Sequence, residues 1–117
     1  MEEPTTLVWL PNHDHRTKNS VAYTNGDRYV GELLGEERDG RGTYDYPSAR
    51  CRYDGEWKKG VRHGHATYYN SKNEKFEGNF RDGKRTKGSK TYHDGTRVFE
   101  GLWDNDELIV RINMHAL

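Results

Sequence analysis

The sequence predicts an all-β fold, an elongated antiparallel meander of about four stacked hairpin repeats, on two periodic observations. A four-residue theme returns at nearly constant spacing, Tyr29-Val30-Gly31-Glu32, Tyr53-Asp54-Gly55-Glu56, Phe76-Glu77-Gly78-Asn79 and Phe99-Glu100-Gly101-Leu102, with offsets of 24, 23 and 23 residues. A second theme follows it, Thr43-Tyr44, Thr67-Tyr68 and Thr91-Tyr92 at offsets of 24 and 24, with Ala22-Tyr23 as an incomplete forerunner. Self-similarity at a period of roughly 20 to 50 residues marks a repeat architecture, in which a small unit stacks on its copies because none can bury its apolar face alone.

The first segment of each unit reads as a strand. Tyr53, Gly55 and Trp57 stand at i, i+2 and i+4, as do Tyr29, Gly31 and Leu33, then Phe76, Gly78 and Phe80, then Phe99, Gly101 and Trp103. A spacing of two places each trio on one face of a strand. The glycine between two large side chains removes a Cβ where a neighbouring ring can lie down. The eight to ten residues that follow, such as Lys58-Lys59-Gly60-Val61-Arg62-His63-Gly64-His65, are rich in glycine and charge and read as a loop. The Thr-Tyr segment is the return strand. The links between units, Thr24-Asn25-Gly26-Asp27, Tyr46-Pro47-Ser48-Ala49, Asn70-Ser71-Lys72-Asn73 and His93-Asp94-Gly95-Thr96, have turn composition, and Asn-Gly and Asp-Gly are strong hairpin signals. No segment sustains a helical period.

These units resemble MORN repeats, whose pattern runs Tyr-x-Gly-x-Trp, then glycines at set offsets, then an aromatic. In the second unit Tyr53, Gly55, Glu56, Trp57, Gly60, Gly64, Thr67 and Tyr68 fall on the family's positions, with Ala66 where the last glycine is usual. The first keeps Gly40, Gly42, Thr43 and Tyr44 but has Gly35 one place early and Glu36 at the loop glycine. The third keeps Phe76, Gly78, Phe80 and Gly83 and runs one residue long before Thr91 and Tyr92; the fourth keeps Phe99, Gly101 and Trp103 and then leaves the pattern. The expected organisation is an N-terminal cap or tail over residues 1–20, repeats over 21–104 (about 22–46, 47–69, 70–93 and a partial 94–104), and a C-terminal cap strand over 105–117.

Composition bounds the function. Apolar residues make up 31% and charged residues 32% of the 117 positions, values that lean toward disorder in an ordinary globule. A stacked array needs no thick centre, and rings that bury about 150 to 250 Å² each can supply the seam: there are eight Tyr, three Phe and three Trp. A chain this thin offers no deep pocket of the kind enzymes use, and no nucleophile elbow, phosphate loop or carboxylate pair is present. No catalysis and no cofactor are expected. His13-Asp14-His15 and His63-Gly64-His65 lack a third donor at a recognised spacing, so no metal is expected either. No apolar run approaches the roughly 18 residues of a membrane helix. The acidic start Met1-Glu2-Glu3-Pro4 is unlike a signal peptide, and the single Cys51 fits a reducing compartment, so a cytoplasmic setting is expected.

Net charge is zero, but residues 57–97 hold eleven Lys and Arg against four acids. Much of the excess falls in equivalent loops, Lys58, Lys59 and Arg62 in one unit and Lys84, Arg85 and Lys87 in the next. Equivalent loops of a meander lie about 10 Å apart on one edge, which predicts a basic rim whose charge reversal leaves the fold intact. These six are the candidate partner-binding residues, and an acidic protein face or anionic lipid is the expected complement. Nucleic acid is not, since no recognised motif accompanies the rim. The aliphatic stretches Leu7-Val8-Trp9-Leu10 and Leu108-Ile109-Val110-Arg111-Ile112 flank the repeats, as capping strands or as an open edge that pairs end to end with another chain. The resemblance implies a non-enzymatic scaffold that presents its sheet to a helix or extended segment, since such repeats occur in axonemal and cytoskeletal assemblies. It implies, as the alternative, a peripheral membrane module. A place in the cytoskeleton or a cilium follows from the first.

Overall fold

The computed structural model describes residues 15–91 and 97–116, with side chains for 15–87 and 100–109. They form one nine-stranded antiparallel sheet in strict chain order: β1 (Arg16–Ala22), β2 (Arg28–Leu34), β3 (Glu37–Tyr46), β4 (Cys51–Lys58), β5 (Val61–Tyr69), β6 (Lys75–Arg81), β7 (Lys84–Thr91), β8 (Arg97–Asp104) and β9 (Glu107–Ala116). The meander measures 55 × 26 × 21 Å. The all-β repeat architecture is the one the 23 to 24 residue period predicts.

The expected loops are strands instead. Lys58 and Val61 are register partners, so the β4–β5 connection shrinks to Lys59-Gly60, with φ of 51° and 82°. Asp82-Gly83 (51°, 86°) and Asn105-Asp106 (53°, 69°) repeat this. Positive φ at both central residues is the type I′ condition, whose twist matches that of the flanking strands. The extra residues that suggested a loop are absorbed as bulges. Between the pairs Gly31↔Gly42 and Leu33↔Arg38, Glu32 alone opposes Asp39, Gly40 and Arg41; between Gly55↔Ala66 and Trp57↔Arg62, Glu56 opposes His63, Gly64 and His65. Gly40 and Gly64 stand at φ of 104° and 70° with the Glu32 and Glu56 carboxylates packed over them, so neither the conformation nor the space admits a side chain.

Unit three departs from the expected alignment. Only Thr86 and Lys87 lie between Arg85 and Gly88, where the earlier units have three residues, and no glycine is available for the wide bulge. Lys90 therefore faces Phe76 and Ser89 faces Glu77, the positions that Tyr44 and Thr43 or Tyr68 and Thr67 hold elsewhere. Thr91 pairs instead with Lys75 and Val98, and Tyr92 lies outside the described residues. A cross-strand row fixes this register: Gly31, Gly42, Gly55, Ala66, Gly78, Gly88 and Gly101 are successive partners across seven strands. A Cβ at Gly42 would enter the Tyr29 ring, and one at Gly55 would collide with the Ala66 methyl. The first theme's glycines are thus contact surfaces. β1 likewise sets Val21, not Tyr23, opposite Tyr29, although the Tyr23 ring stacks on Tyr44 at 5.6 Å.

The core lies on one face of this single layer. Tyr29, Leu33, Tyr44, Tyr53, Trp57, Ala66, Phe76 and Phe80 are buried, with Tyr29 and Tyr53 fully so. Rings connect the units in a fixed pattern: Trp57 packs on Tyr29 of the preceding unit (5.7 Å), Phe80 on Tyr53 (5.1 Å) and Trp103 on Phe76 (5.4 Å), all edge to face. Each contact is of the geometry that adds about 0.5 to 1.5 kcal/mol beyond burial. The Tyr29 and Tyr53 hydroxyls donate to the Glu32 and Glu56 carbonyls at 2.6 Å inside the bulges. Phe76 has no hydroxyl, and the equivalent Asn79 carbonyl accepts from Thr86 Oγ1 at 3.2 Å instead.

Candidate functional site

An open single-layer sheet has three surfaces to offer: the ring face, the hairpin edges and the opposite polar face. The ring face is closed by arginines. Arg38 lies over Trp57 (4.7 Å), Tyr44 (4.9 Å) and Tyr23 (5.7 Å); Arg62 over Phe80, Tyr53 and Tyr68; and Arg85 over Trp103 (4.5 Å) and Phe76. Guanidinium planes suit aromatic faces and stay charged throughout. Their positions are set by register, since Arg38, Arg62 and Arg85 face Leu33, Trp57 and Phe80 across the hairpins. The outer ends of Arg38 and Arg85 also bind neighbouring units. Arg38 donates to the Gly60 carbonyl at 2.7 Å and to the Tyr23 hydroxyl, and Arg85 pairs with Asp106 at 2.9 Å. The Arg38 and Arg62 carbonyls accept from Gly60 and Gly83 N–H. The spacings of 24 and 23 residues carry the signal for this triad, which sequence reasoning missed because it counted cations by sign and not by phase.

This placement divides the six candidate rim residues. Lys58, Lys59, Lys84 and Lys87 are exposed on or beside the hairpin edge; Arg62 and Arg85 are half-buried against rings. Reversal of Arg85 is therefore not a neutral surface change, because it breaks a ring contact and the Asp106 pair together. Lys59 also ties units together through its backbone, donating to Asp39 Oδ2 at 3.1 Å while Arg16 holds Oδ1 at 2.7 Å. Asp39 is buried, which pushes its carboxyl up, but the Lys59 N–H and Arg16 outweigh this and hold it below the ordinary range. Asp106 is held low in the same way by the backbone and side chain of Arg85. Burial pushes the Tyr29 hydroxyl up to about 12, against the pull of Arg38, and Tyr68 up to about 12, helped by Cys51.

The edge is not uniformly basic. Across the four tight turns and their flanking residues, the cations Lys58, Lys59, Arg81 and Lys84 occupy the centre. Glu36 and Glu37 lie at one end, and Asp104, Asp106 and Glu107 at the other, with Asp82 in the middle. The polar face is more regular. Val30, Thr43, Asp54, Thr67, Glu77, Ser89 and Glu100 form one cross-strand row. Arg28, Asp45, Arg52, Tyr69 and Lys75 form the next. Asp54, Glu77 and Glu100 are exposed on alternate strands, about 10 Å apart by sheet geometry.

Of the flanking aliphatic stretches, Leu7-Val8-Trp9-Leu10 lies outside the described residues, as do His13 and Asp14. The other is β9, which pairs along β8 as the second strand of a hairpin, with Ile109 59% exposed. Phe99 is a backbone partner of Lys90 and Met114. No group of three or more metal donors occurs among the described residues, and no described helix is long and apolar enough to cross a membrane.

The sequence profile of the MORN repeat matches residues 29–48, 53–74 and 76–97, more than half of the chain. A curated relative, MORN repeat-containing protein 3 of Xenopus laevis, is 34% identical over 90 residues, covering 77% of this chain and 31% of the relative. The chain thus spans about a third of that relative's length. MORN repeats are non-enzymatic modules that mediate protein or membrane interactions. On the profile match, the ring ladder and the glycine row together, this chain belongs to the MORN-repeat family.

Proposed function

We propose that the protein is a non-enzymatic scaffold that binds a helix or extended segment of another protein on its polar sheet face, as a subunit of a cytoskeletal or ciliary assembly. The observation that carries this is the division of labour between faces. The rings are consumed in stacking unit on unit, whereas the opposite face leaves Asp54, Glu77 and Glu100 of one row and Arg28 and Arg52 of the other exposed. Acidic charge recurring on alternate strands at a fixed pitch suits a partner with its own repeat, and complementary potentials set specificity and orientation. The cytoskeletal or ciliary setting rests on the family resemblance, which argues by analogy.

The anionic-lipid reading draws support from Lys58, Lys59, Lys84 and Lys87, each worth about 1 kcal/mol near an anionic surface. Two of the six expected cations are spent on rings, and the six acids on the same edge oppose its approach to anionic headgroups, so protein binding is favoured. Flotation with neutral and with anionic liposomes at physiological salt separates the two. The scaffold reading expects no flotation, together with capture of a defined partner from a cytoskeletal extract that is lost when Asp54, Glu77 and Glu100 become Lys. Salt-sensitive flotation abolished by reversing the four lysines would overturn it.

A further inference from the structure

At one end of the polar face, within the second of its two rows, the sheet forms a concavity with a chemistry of its own. Arg28, Asp45, Arg52 and Tyr69 are successive register partners from β2 to β5. The turns that precede β4 and β6 add Arg50 and Asn73, completing an open trough of about 440 Å³. Every cation lining it is an arginine, whereas the free cations of the hairpin edge are mostly lysine. Arg52 Nε donates to Asp45 Oδ1 at 2.7 Å, which neutralises that pair. Arg28 and Arg50 are exposed and make no ion pair among the described residues. The lining therefore holds three guanidiniums against one carboxylate, an excess of two positive charges. Arg50 also stands at φ 57°, a region that glycine or asparagine enters far more easily than a long side chain.

We propose that this trough is a phosphate-recognition site that takes a phosphorylated side chain on an extended segment of a partner protein. Guanidinium forks bind phosphate bidentately, where lysine acts only as a point charge. A phosphoserine carries about −1.5 to −2 at neutral pH, which matches the uncompensated charge of Arg28 and Arg50. Tyr69, 39% exposed, supplies a ring wall for the segment beside the phosphate. The row spans four strands, roughly 14 Å at about 4.8 Å per interstrand step, the length of about four extended residues. A membrane is the weaker occupant, because Asp54 lies two residues from Arg52 on the same face and is exposed. The partner's class rests on the protein-binding reading, but the anion chemistry can be examined without any partner.

The test is a titration of the full chain, followed by backbone amide shifts, with the pentapeptide acetyl-Gly-Gly-phosphoSer-Gly-Gly-amide, its unphosphorylated twin and inorganic phosphate. Vesicles of mixed neutral and anionic lipid form a separate arm. The expected result is saturable shifts at residues 28, 50–52 and 69–73 with the phosphopeptide and no saturation with its twin. Affinity should fall about tenfold or more, the scale of one lost charged hydrogen bond, in Arg28→Gln/Arg50→Gln and stay unchanged in Lys58→Glu/Lys59→Glu. Equal response to both peptides, shifts centred on the lysine edge, or binding that survives the double arginine variant would overturn the proposal, as would binding to anionic vesicles alone. Loss of the phosphate site with partner capture intact would sink this inference and leave the scaffold standing.

Discussion

Trp57→Ala isolates the seam between two repeats. The indole is 4% exposed and meets Tyr29 of the preceding unit at 5.7 Å, Tyr53 of its own at 4.7 Å and Tyr44 at 5.8 Å, with Arg38 over its face. Removing a ring that buries on the order of 200 Å² forfeits about 5 kcal/mol at about 25 cal/mol per Å², less what alanine and collapse recover, so about 3 to 5 kcal/mol should be lost. The Nε1–H donates to the Gly42 carbonyl at 3.1 Å. Trp57→Phe keeps most of the ring and removes the donor, and it should cost about 1 to 2 kcal/mol, near the hydrogen bond's net worth plus a small void. Urea unfolding followed by circular dichroism gives both values, with Arg38→Met added to close a double-mutant cycle. The cycle should return a coupling of roughly 0.5 to 2 kcal/mol for the stacked guanidinium. A loss under about 1 kcal/mol for Trp57→Ala, against the 3 to 5 expected of a large buried ring, would refute the seam and make the residue a candidate partner contact.

The other outcomes probe the glycine row, the two kinds of cation and the titrating groups. Gly42→Ala places a Cβ inside the Tyr29 ring at ordinary backbone angles, so the loss of about 1 to 3 kcal/mol is steric; an unchanged melting curve would show that the ring does not lie there. Lys58, Lys59, Lys84 and Lys87 reversed one at a time to Glu should each shift stability by under about 0.5 kcal/mol. Arg62→Glu and Arg85→Glu should each cost more than the lysines by a clear margin in the same melts, and equal effects would mean that the arginines are merely solvated. Asp39 and Asp106, held below their ordinary value of 3.8 in the folded chain, contribute stability that is complete above that value and lost as pH falls from it through their lower folded-state values. The acid limb of the stability profile should therefore flatten in Asp39→Asn. Tyr29 and Tyr68, raised from 10 to about 12, contribute stability that is complete below pH 10 and lost between 10 and 12. Phenolate absorbance should show these hydroxyls titrating late and together with unfolding, and a single transition near 10 with the fold intact would contradict their burial.

The residues that announced themselves in the sequence are those whose role forces a residue type at a fixed phase. Only glycine fits under the Tyr29 ring at Gly42, and only large rings bridge one unit to the next, so the aromatic and glycine themes and the fold they build were readable without coordinates. The hairpins were misjudged for a physical reason as well. A glycine such as Gly64 has the same composition signal in a loop as in a bulge, and only pairing partners tell the two apart. Unit three shows how the competition is settled: matching Tyr92 to Tyr68 would have put Lys90 in place of glycine opposite Gly78 and four residues, where the earlier units have three, in the bulge, so the glycine row kept its register and the tyrosine theme gave way.

The surface was the least legible part, because sign and neighbourhood say little about where a long side chain ends. Lys59 and Arg62 are three residues apart in one basic stretch, yet one is solvated on a turn and the other lies over Tyr53 and Phe80. Lysine's compact, strongly hydrated charge favours the first position, and the flat, weakly hydrated guanidinium favours the second. Among the described residues the contrast recurs: Arg38, Arg62 and Arg85 lie over the rings and Arg28, Arg50 and Arg52 line the trough, whereas the exposed hairpin edge carries mainly lysine, with Arg81 the exception. Replacing Arg38, Arg62 and Arg85 by Lys therefore keeps every charge and should still lower stability, and conservation of stability in that triple variant would show that sign alone is what the fold reads.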